Sequence, residues 1–315
     1  MIVLTGTSGG LGRPALDTLL REHLVPVSEL RISTTKPASV PAAVRDSGIE
    51  IRKGDLYDPS SLAESYSGAD VLFLVSFPSM GPERFALHRN GIDAAKAAGV
   101  RHVIYTSLSF AGGAEGSTSV AQVAQAHLRT EAYLKASGLD YTIVRMASYA
   151  HLWNNYAGFL RLDADPGLVV DAVLPNDGLE HWASREDLGE AAAKIIANHK
   201  EFANKTINLT GPELLTGVDI VHKYMKHSGR EVRIRVLPVQ EAIEWHVENG
   251  SVPPEQVGFL ENWASWHTAI SLGEKAFLDP TLERLLGRKP KTVDDQADEI
   301  FSVAHGLDTK DLVGI

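Results

Sequence analysis

The sequence predicts an α/β fold built on a doubly wound parallel sheet, with a smaller C-terminal lobe. Short apolar runs bounded by turn residues alternate with helix-like stretches through the first half of the chain. Most of these runs carry Val, Ile or Leu at successive positions, which is typical of strands that helices cover on both faces. Because parallel strands need crossover helices, this alternation predicts helices on each side of one sheet.

Six strands are predicted from these runs. They cover residues 2–5, 29–33, 50–53, 71–76, 102–107 and 142–145. A helix follows the first strand, because Leu11, Leu16 and Leu19 lie on one apolar stripe and Pro14 is tolerated in a first turn. Residues 186–197 predict a further helix and 206–209 a further strand, and we expect both to rejoin the main sheet.

The regular alternation weakens after about residue 150, which suggests a second structural part. We assign residues 1–150 and about 184–210 to the sheet-bearing core. The smaller lobe is assigned about 151–183 and 211–315, and it is expected to face the substrate. An aromatic surplus in this second half is suited to a flat pocket. It comprises Trp153, Trp245, Trp263 and Trp266.

Charge and composition exclude several classes of function. The formal net charge is −10, and no run of Lys and Arg interrupts it, so we expect no nucleic-acid partner and no anionic membrane. The chain has no cysteine, and its 12 histidines lack an HExxH spacing, so no metal site is expected. Without a basic leader or a run of about 18 apolar residues, a cytoplasmic protein is predicted.

A glycine-rich turn lies between the first strand and the first helix. Its sequence, Thr5-Gly6-Thr7-Ser8-Gly9-Gly10-Leu11-Gly12, spaces glycines as G-x-x-G-x-x-G. Glycines let the backbone approach a pyrophosphate, while free N–H groups and the helix dipole face the anion. The order of strand, turn and helix predicts dinucleotide binding on a Rossmann core, with tight packing as the alternative reason for the glycines. The predicted cofactor residues here are Gly6, Thr7, Ser8, Gly9, Gly10, Leu11 and Gly12.

The end of the second strand favours NADP(H) over NAD(H). NAD-binding proteins usually hold an Asp or Glu there for the ribose hydroxyls, whereas this chain has Ser33-Thr34-Thr35-Lys36. No carboxylate repels a 2′-phosphate at this point, and Thr35 and Lys36 can donate hydrogen bonds to it. The alternative for Lys36 is an ordinary solvated loop lysine.

Residues after the third and fourth strands complete the predicted cofactor site. Asp55 and Leu56 follow the third strand, where Asp55 either accepts from the adenine amino group or caps the next helix. Ser76 and Phe77 end the fourth strand, and both are expected to lie along the cofactor. For Phe77 an ordinary core position is the alternative.

Several longer segments resemble the NmrA-like group of atypical short-chain dehydrogenase/reductases, and are similar to the NADPH:quinone reductases of that group. These segments are residues 6–12, 88–107 and 130–145, with weaker matches at 183–188 and 208–213. The resemblance spans nearly the whole chain. It implies a Rossmann core, NADPH as cofactor, and a cleft between core and lobe. Some members of the group reduce quinones or other conjugated molecules, whereas others sense the dinucleotide and regulate a partner protein.

The Tyr-x-x-x-Lys pair of the main short-chain reductases is absent, because no tyrosine is followed four residues later by lysine. That pair protonates the alkoxide formed from an ordinary ketone. A quinone needs it less, since its developing charge is delocalised over the ring. We therefore predict an NADPH-dependent oxidoreductase for a quinone or similar conjugated small molecule. The alternatives are an NADP(H)-sensing regulator with a protein partner, and a secondary-metabolism reductase of a polycyclic substrate.

Three residues are predicted to act in catalysis. Ser107 follows the fifth strand, at the sheet edge where α/β proteins bind ligands. His127 lies on a predicted helix, and the resemblance to the quinone reductases implies a histidine at the matching position of those proteins. Tyr149 lies where the chain should cross from core to lobe, and with nearby Trp153 it is predicted to contact substrate. For each of these residues, the alternative to a functional role is a purely structural one.

Overall fold

The computed structural model describes residues 1–79, 81–109, 118–165, 167–254 and 257–302. Its strands, in chain order, are β1 (Ile2–Leu4), β2 (Leu30–Thr34), β3 (Glu50–Lys53), β4 (Val71–Leu74), β5 (His102–Leu108), β6 (Asp140–Met146), β7 (Ser148–Tyr149), β8 (Val170–Leu174), β9 (Glu180–Ala183), β10 (Lys205–Leu209), β11 (Leu214–Leu215) and β12 (Val232–Val236). Its helices are α1 (Gly12–Arg21), α2 (Ala42–Arg45), α3 (Pro59–Tyr66), α4 (Glu83–Ala97), α5 (Gln122–Ala136), α6 (Trp153–Tyr156), α7 (Arg185–Ala197), α8 (Gly217–Ser228), α9 (Val239–Glu248), α10 (Phe259–Ser271), α11 (Thr281–Leu286) and α12 (Ala297–Ile300).

Seven parallel strands form the central sheet, in the order β10-β6-β5-β4-β1-β2-β3. This order confirms the predicted doubly wound α/β fold. The strand sequence reverses between β1 and β4. In such sheets, ligands bind in the crevice at the carboxyl ends of the strands where the order reverses.

Helices cover both faces of the sheet, which explains the apolar composition of its strands. One buried cluster packs α1 and α7 against the sheet, with Leu16, Leu19 and Leu188 among its members. A second cluster on the opposite face includes residues of α3, α4 and α5. The short helix α11, which the sequence placed in the lobe, packs against α7, because Leu282 and Leu286 enter the first cluster. The other limits of core and lobe stay predictions.

The remaining elements build the lobe around two small sheets, β11-β9-β7 and β12-β8. Trp153 fills the core of this lobe. Its ring stacks on Tyr224 at 4.9 Å and meets Phe301 edge-on at 5.0 Å. Its indole N–H donates to the Ile300 carbonyl at 2.6 Å, and only 1% of its surface is exposed. None of the helices within the described ranges is both long and apolar enough to cross a membrane.

A buried ion pair connects Lys275 to the three-stranded sheet of the lobe. The ammonium of Lys275 is 2.6 Å from the carboxylate of Glu180, and both groups also bond the Ser148 hydroxyl. All three side chains are buried. Because removal of one partner would leave an uncompensated buried charge, this cluster fixes the position of β7, which leads into the cleft described below.

Candidate functional site

A cleft of about 540 Å³ lies at the carboxyl edge of the sheet. Core residues lining it include the turn from Thr5 to Gly12 and the ends of β2, β4 and β5. The lobe contributes Tyr156 and, from α10, Phe259, Trp263 and Trp266. The cleft therefore joins the predicted cofactor turn to an aromatic wall.

The turn after β1 is too closely packed for side chains at two of its glycines. Gly6 has a φ of +65°, and a Cβ there would lie 2.7 Å from the Cβ of Val75. A Cβ on Gly12 would lie 2.2 Å from the Gly6 carbonyl oxygen. The Gly9 N–H donates to that same oxygen at 3.0 Å. The glycine spacing thus produces a tight turn at the head of α1, as a pyrophosphate-binding cradle requires.

Arg185, the first residue of α7, brings a positive charge to this turn. A Cβ on Gly10 would lie 2.3 Å from an Arg185 guanidinium nitrogen, so Gly10 leaves the space that this side chain occupies. Ser184 caps α7 by accepting from the Asp187 N–H at 3.0 Å. The sequence shows this helix start, but only the folded sheet brings it beside the turn. Sequence reasoning therefore missed Arg185.

The other predicted cofactor residues lie along the same cleft, with one exception. Thr35, Asp55, Leu56, Ser76 and Phe77 all line it. One Asp55 oxygen accepts from the Tyr57 N–H at 2.9 Å, which tightens the loop after β3. The exception, Lys36, is exposed and lies outside the lining residues. Its role toward a 2′-phosphate stays a prediction.

A chain of hydrogen bonds leads from the end of β4 to His127. The Phe77 N–H donates to Nε2 of His88 at 2.8 Å, so that nitrogen is an acceptor. Burial, followed by the charge of Arg84, lowers the pKa of His88 to about 3. The ring is therefore neutral and carries its proton on Nδ1, which lies 2.9 Å from the Thr130 hydroxyl oxygen.

The tautomer of His127 follows from this chain. The Tyr105 hydroxyl is 3.3 Å from the protonated Nδ1 of His88 and 2.9 Å from Nδ1 of His127. We assign the Tyr105 proton to the hydrogen bond with His127, which leaves the hydrogen of neutral His127 on Nε2. Burial holds the pKa of His127 well below 6.5, and Arg84 lowers it further. Within the described residues Nε2 is buried and has no hydrogen-bond partner, and His127 lines the cleft.

Ser107 and Tyr149 also line the cleft, and their hydroxyl groups differ in how they hold their protons. The Ser107 hydroxyl donates to Glu131 at 2.6 Å, and Glu131 forms a buried ion pair with Arg145 at 2.7 Å. With its proton engaged, Ser107 has only lone pairs to offer a ligand. Tyr149 stacks on His151 at 5.7 Å, and burial raises its pKa to about 12, so its hydroxyl stays protonated.

The aromatic wall differs from the sequence prediction. Trp153 does not line the cleft, because its ring turns into the core of the lobe, and we therefore correct its assignment as a substrate contact. Trp263 and Trp266, which belong to the aromatic surplus of the second half, are buried but border the cleft. The Trp263 indole donates to the Asn155 carbonyl at 2.7 Å, which fixes its ring.

The sequence profile of the NmrA-like family matches residues 1–281. The chain belongs to the NmrA-like family. This confirms the resemblance drawn from the glycine turn and the longer segments. In this NmrA-like chain, the match covers the whole central sheet and most of the cleft lining.

The relatives of this NmrA-like chain include several proteins named as reductases or oxidoreductases. Quinone oxidoreductase 2 of Escherichia coli (strain K12) is 30% identical over 96% of this chain and 99% of its own length. Its crystal structure with NADPH has a TM-score of 0.80, covering 96% of this chain and 100% of that one. Triphenylmethane reductase of Citrobacter sp., solved with NADP(H), is 27% identical, with a TM-score of 0.80 over 95% of this chain and 100% of its own. The NmrA-like family domain-containing oxidoreductase flvB of Aspergillus flavus is 29% identical over 91% of each chain.

Proposed function

We propose that this chain reduces a quinone, or a similarly conjugated small molecule, at the expense of NADPH. Its membership of the oxidoreductase class and its use of NADP(H) rest on the relatives described above. The quinone is the part that we infer for this chain. The observation that carries it is a single cleft that joins a dinucleotide cradle to an aromatic wall and to the buried Nε2 of His127.

The cofactor would be held mainly by backbone and by one arginine. The turn from Gly6 to Gly12 fits a pyrophosphate, because Gly6 and Gly12 have no space for a Cβ and Arg185 lies beside Gly10. Thr35 is suited to the 2′-phosphate and Asp55 to the adenine amino group, as both line the cleft. When bound, NADPH supplies the hydride.

The remaining residues suit a flat electrophilic ring. Tyr149, Trp263 and Trp266 offer aromatic surfaces on which such a ring can stack. His127 would donate from Nε2 to a carbonyl oxygen of the ring and polarise it. Because His127 is neutral, it stabilises charge on this oxygen without delivering a full proton, and a quinone anion can take its proton from water.

Cofactor choice gives a first prediction. Thr35→Glu places a carboxylate where no acid now lies at the end of β2, and we expect it to weaken NADPH binding about tenfold or more, by repulsion of the 2′-phosphate. NADH lacks that phosphate, so its affinity should change much less. Fluorescence titration of both nucleotides measures the effect. Equal weakening for NADPH and NADH would place the 2′-phosphate away from Thr35.

The quinone proposal is tested with a panel of acceptors. NADPH oxidation is followed at saturating cofactor with benzoquinone, menadione, a triphenylmethane dye and the unconjugated ketone cyclohexanone, each corrected for the uncatalysed reaction. We expect turnover with conjugated acceptors, and at least about 100-fold less with the ketone, because no Tyr-x-x-x-Lys pair protonates its alkoxide. Preference for the ketone would overturn the proposal. NADPH binding without any turnover would favour the regulator instead, which the reductase relatives do not support.

A further inference from the structure

Arg84 is a second arginine in the cleft, in addition to Arg185. It lies in the first turn of α4 and lines the cleft. One guanidinium nitrogen donates to the Ser76 hydroxyl at 2.9 Å. Its Nε is buried with no hydrogen-bond partner, and no carboxylate within the described ranges forms an ion pair with it. The neighbouring acid Glu83 bonds the Ser79 hydroxyl instead.

Among the described residues, the groups around Arg84 supply no negative charge. His88 and His127 are neutral, and the charge of Arg84 is itself one reason for their low pKa. Tyr105 and Tyr149 keep their protons, because burial raises the pKa of each to about 12. A partly buried guanidinium that has no counter-charge among the described residues is costly, and an arriving anion would offset this cost. The cleft thus holds a preformed place for negative charge.

This place is distinct from the phosphate-binding turn. Arg185 lies beside Gly10 in that turn, whereas Arg84 bonds Ser76 at the end of β4. Both arginines lower the pKa of Tyr149, with Arg185 having the larger effect, but only Arg84 also lowers the pKa of His127. His127 belongs to the proposed substrate side. We therefore take the anion that Arg84 faces to be one that forms on the substrate.

We propose that Arg84, together with the Nε2 hydrogen of His127, holds the substrate oxygen that becomes negatively charged during reduction. This inference rests on the proposed function. The quinone gains a hydride, which carries two electrons, and becomes a hydroquinone monoanion, while NADPH is oxidised to NADP⁺. One proton from water then completes the hydroquinone. Arg84 stabilises the phenolate oxygen and makes its formation easier, as charged donors do in other oxyanion sites.

Ligand binding tests this role without turnover. The probe is 2-hydroxy-1,4-naphthoquinone, which is an anion at neutral pH, and the matched neutral ligand is menadione. Both are titrated into the full chain with saturating NADP⁺ by calorimetry. Arg84→Met should weaken binding of the anion about tenfold or more and that of menadione by less than about twofold. Arg89→Met, which removes an exposed arginine from the same helix, should leave both affinities unchanged.

Kinetics adds a measurement that would not respond if Arg84 had only a structural role. Arg84→Ala should lose turnover, and added guanidinium should restore part of it, whereas guanidinium should not affect an Arg89→Ala protein. Equal effects of Arg84→Met on the anion and on menadione, or no effect on either, would overturn the proposal. Arg84→Met could weaken binding of the anion alone while the wild type reduces no quinone. That result would support the anion site and contradict the proposed quinone reduction.

Discussion

Replacing His127 by alanine is expected to lower kcat/KM for a quinone about 100-fold or more, with NADPH affinity unchanged. The reason is that Nε2 of His127 is a buried N–H donor lining the cleft. Loss of one donor to a developing oxyanion costs about 100- to 1,000-fold in other enzymes. Steady-state NADPH oxidation with menadione measures the change, and His222→Ala, at an exposed position of α8, is the matched control.

A second variant separates the effect of the His127 tautomer from the effect of its imidazole ring. Tyr105→Phe removes the hydroxyl that bonds Nδ1 of His127 but retains the buried ring. The imidazole can then place its proton on either nitrogen, so we expect a smaller loss of about tenfold. If His127→Ala retains wild-type kcat/KM, or if Tyr105→Phe costs more than His127→Ala, the assigned direction of this hydrogen-bond chain is wrong.

Stability is expected to fall steeply in mild acid, by at least about 4 kcal/mol between about pH 7 and about pH 5.5. Burial, as the largest cause, lowers the pKa of six histidines that are almost fully buried. They are His88, His102, His127, His181, His246 and His267. In the unfolded chain each takes up a proton below about pH 6.5, whereas in the folded chain it stays neutral. The unfolded state thus binds more protons, and acid favours it.

Urea unfolding at several pH values measures this loss. His267→Phe should remove about one proton from the uptake on unfolding, because the folded pKa of His267 is only about 3 and its side chain is 3% exposed. His222→Phe on the surface of α8 serves as the control substitution. An unfolding free energy that stays constant or rises from about pH 7 to about pH 5.5 would contradict these buried neutral histidines.

Local patterns predicted the parts of the molecule that local chemistry determines. The glycine turn needed only its neighbours, since Gly6 must adopt a positive φ and Gly12 must approach Gly6. The parallel, doubly wound sheet followed from apolar runs and crossover rules. His127 was also found from its helix and from a family resemblance. Its tautomer was not, because that depends on His88 and Tyr105, which α4 and β5 bring together.

The residues that sequence reasoning missed are those placed by tertiary packing. Arg185 and Arg84 lie in the first turns of two different helices, and nothing in the sequence shows that both reach one cleft. Trp153 was selected for its closeness to Tyr149 in the chain. In the structure its ring packs instead against Tyr224 and Phe301 in the core of the lobe. Trp263 and Trp266 lie three residues apart on α10, and both border the cleft.

The most direct test of this account is NADPH oxidation by the purified chain, measured at 340 nm with and without benzoquinone, together with NADPH binding by fluorescence. We predict saturable NADPH binding, and a rate of oxidation that saturates with quinone and exceeds the uncatalysed reaction. Tight NADPH binding with no quinone-dependent oxidation would contradict the assignment of the cleft as a quinone-reducing site.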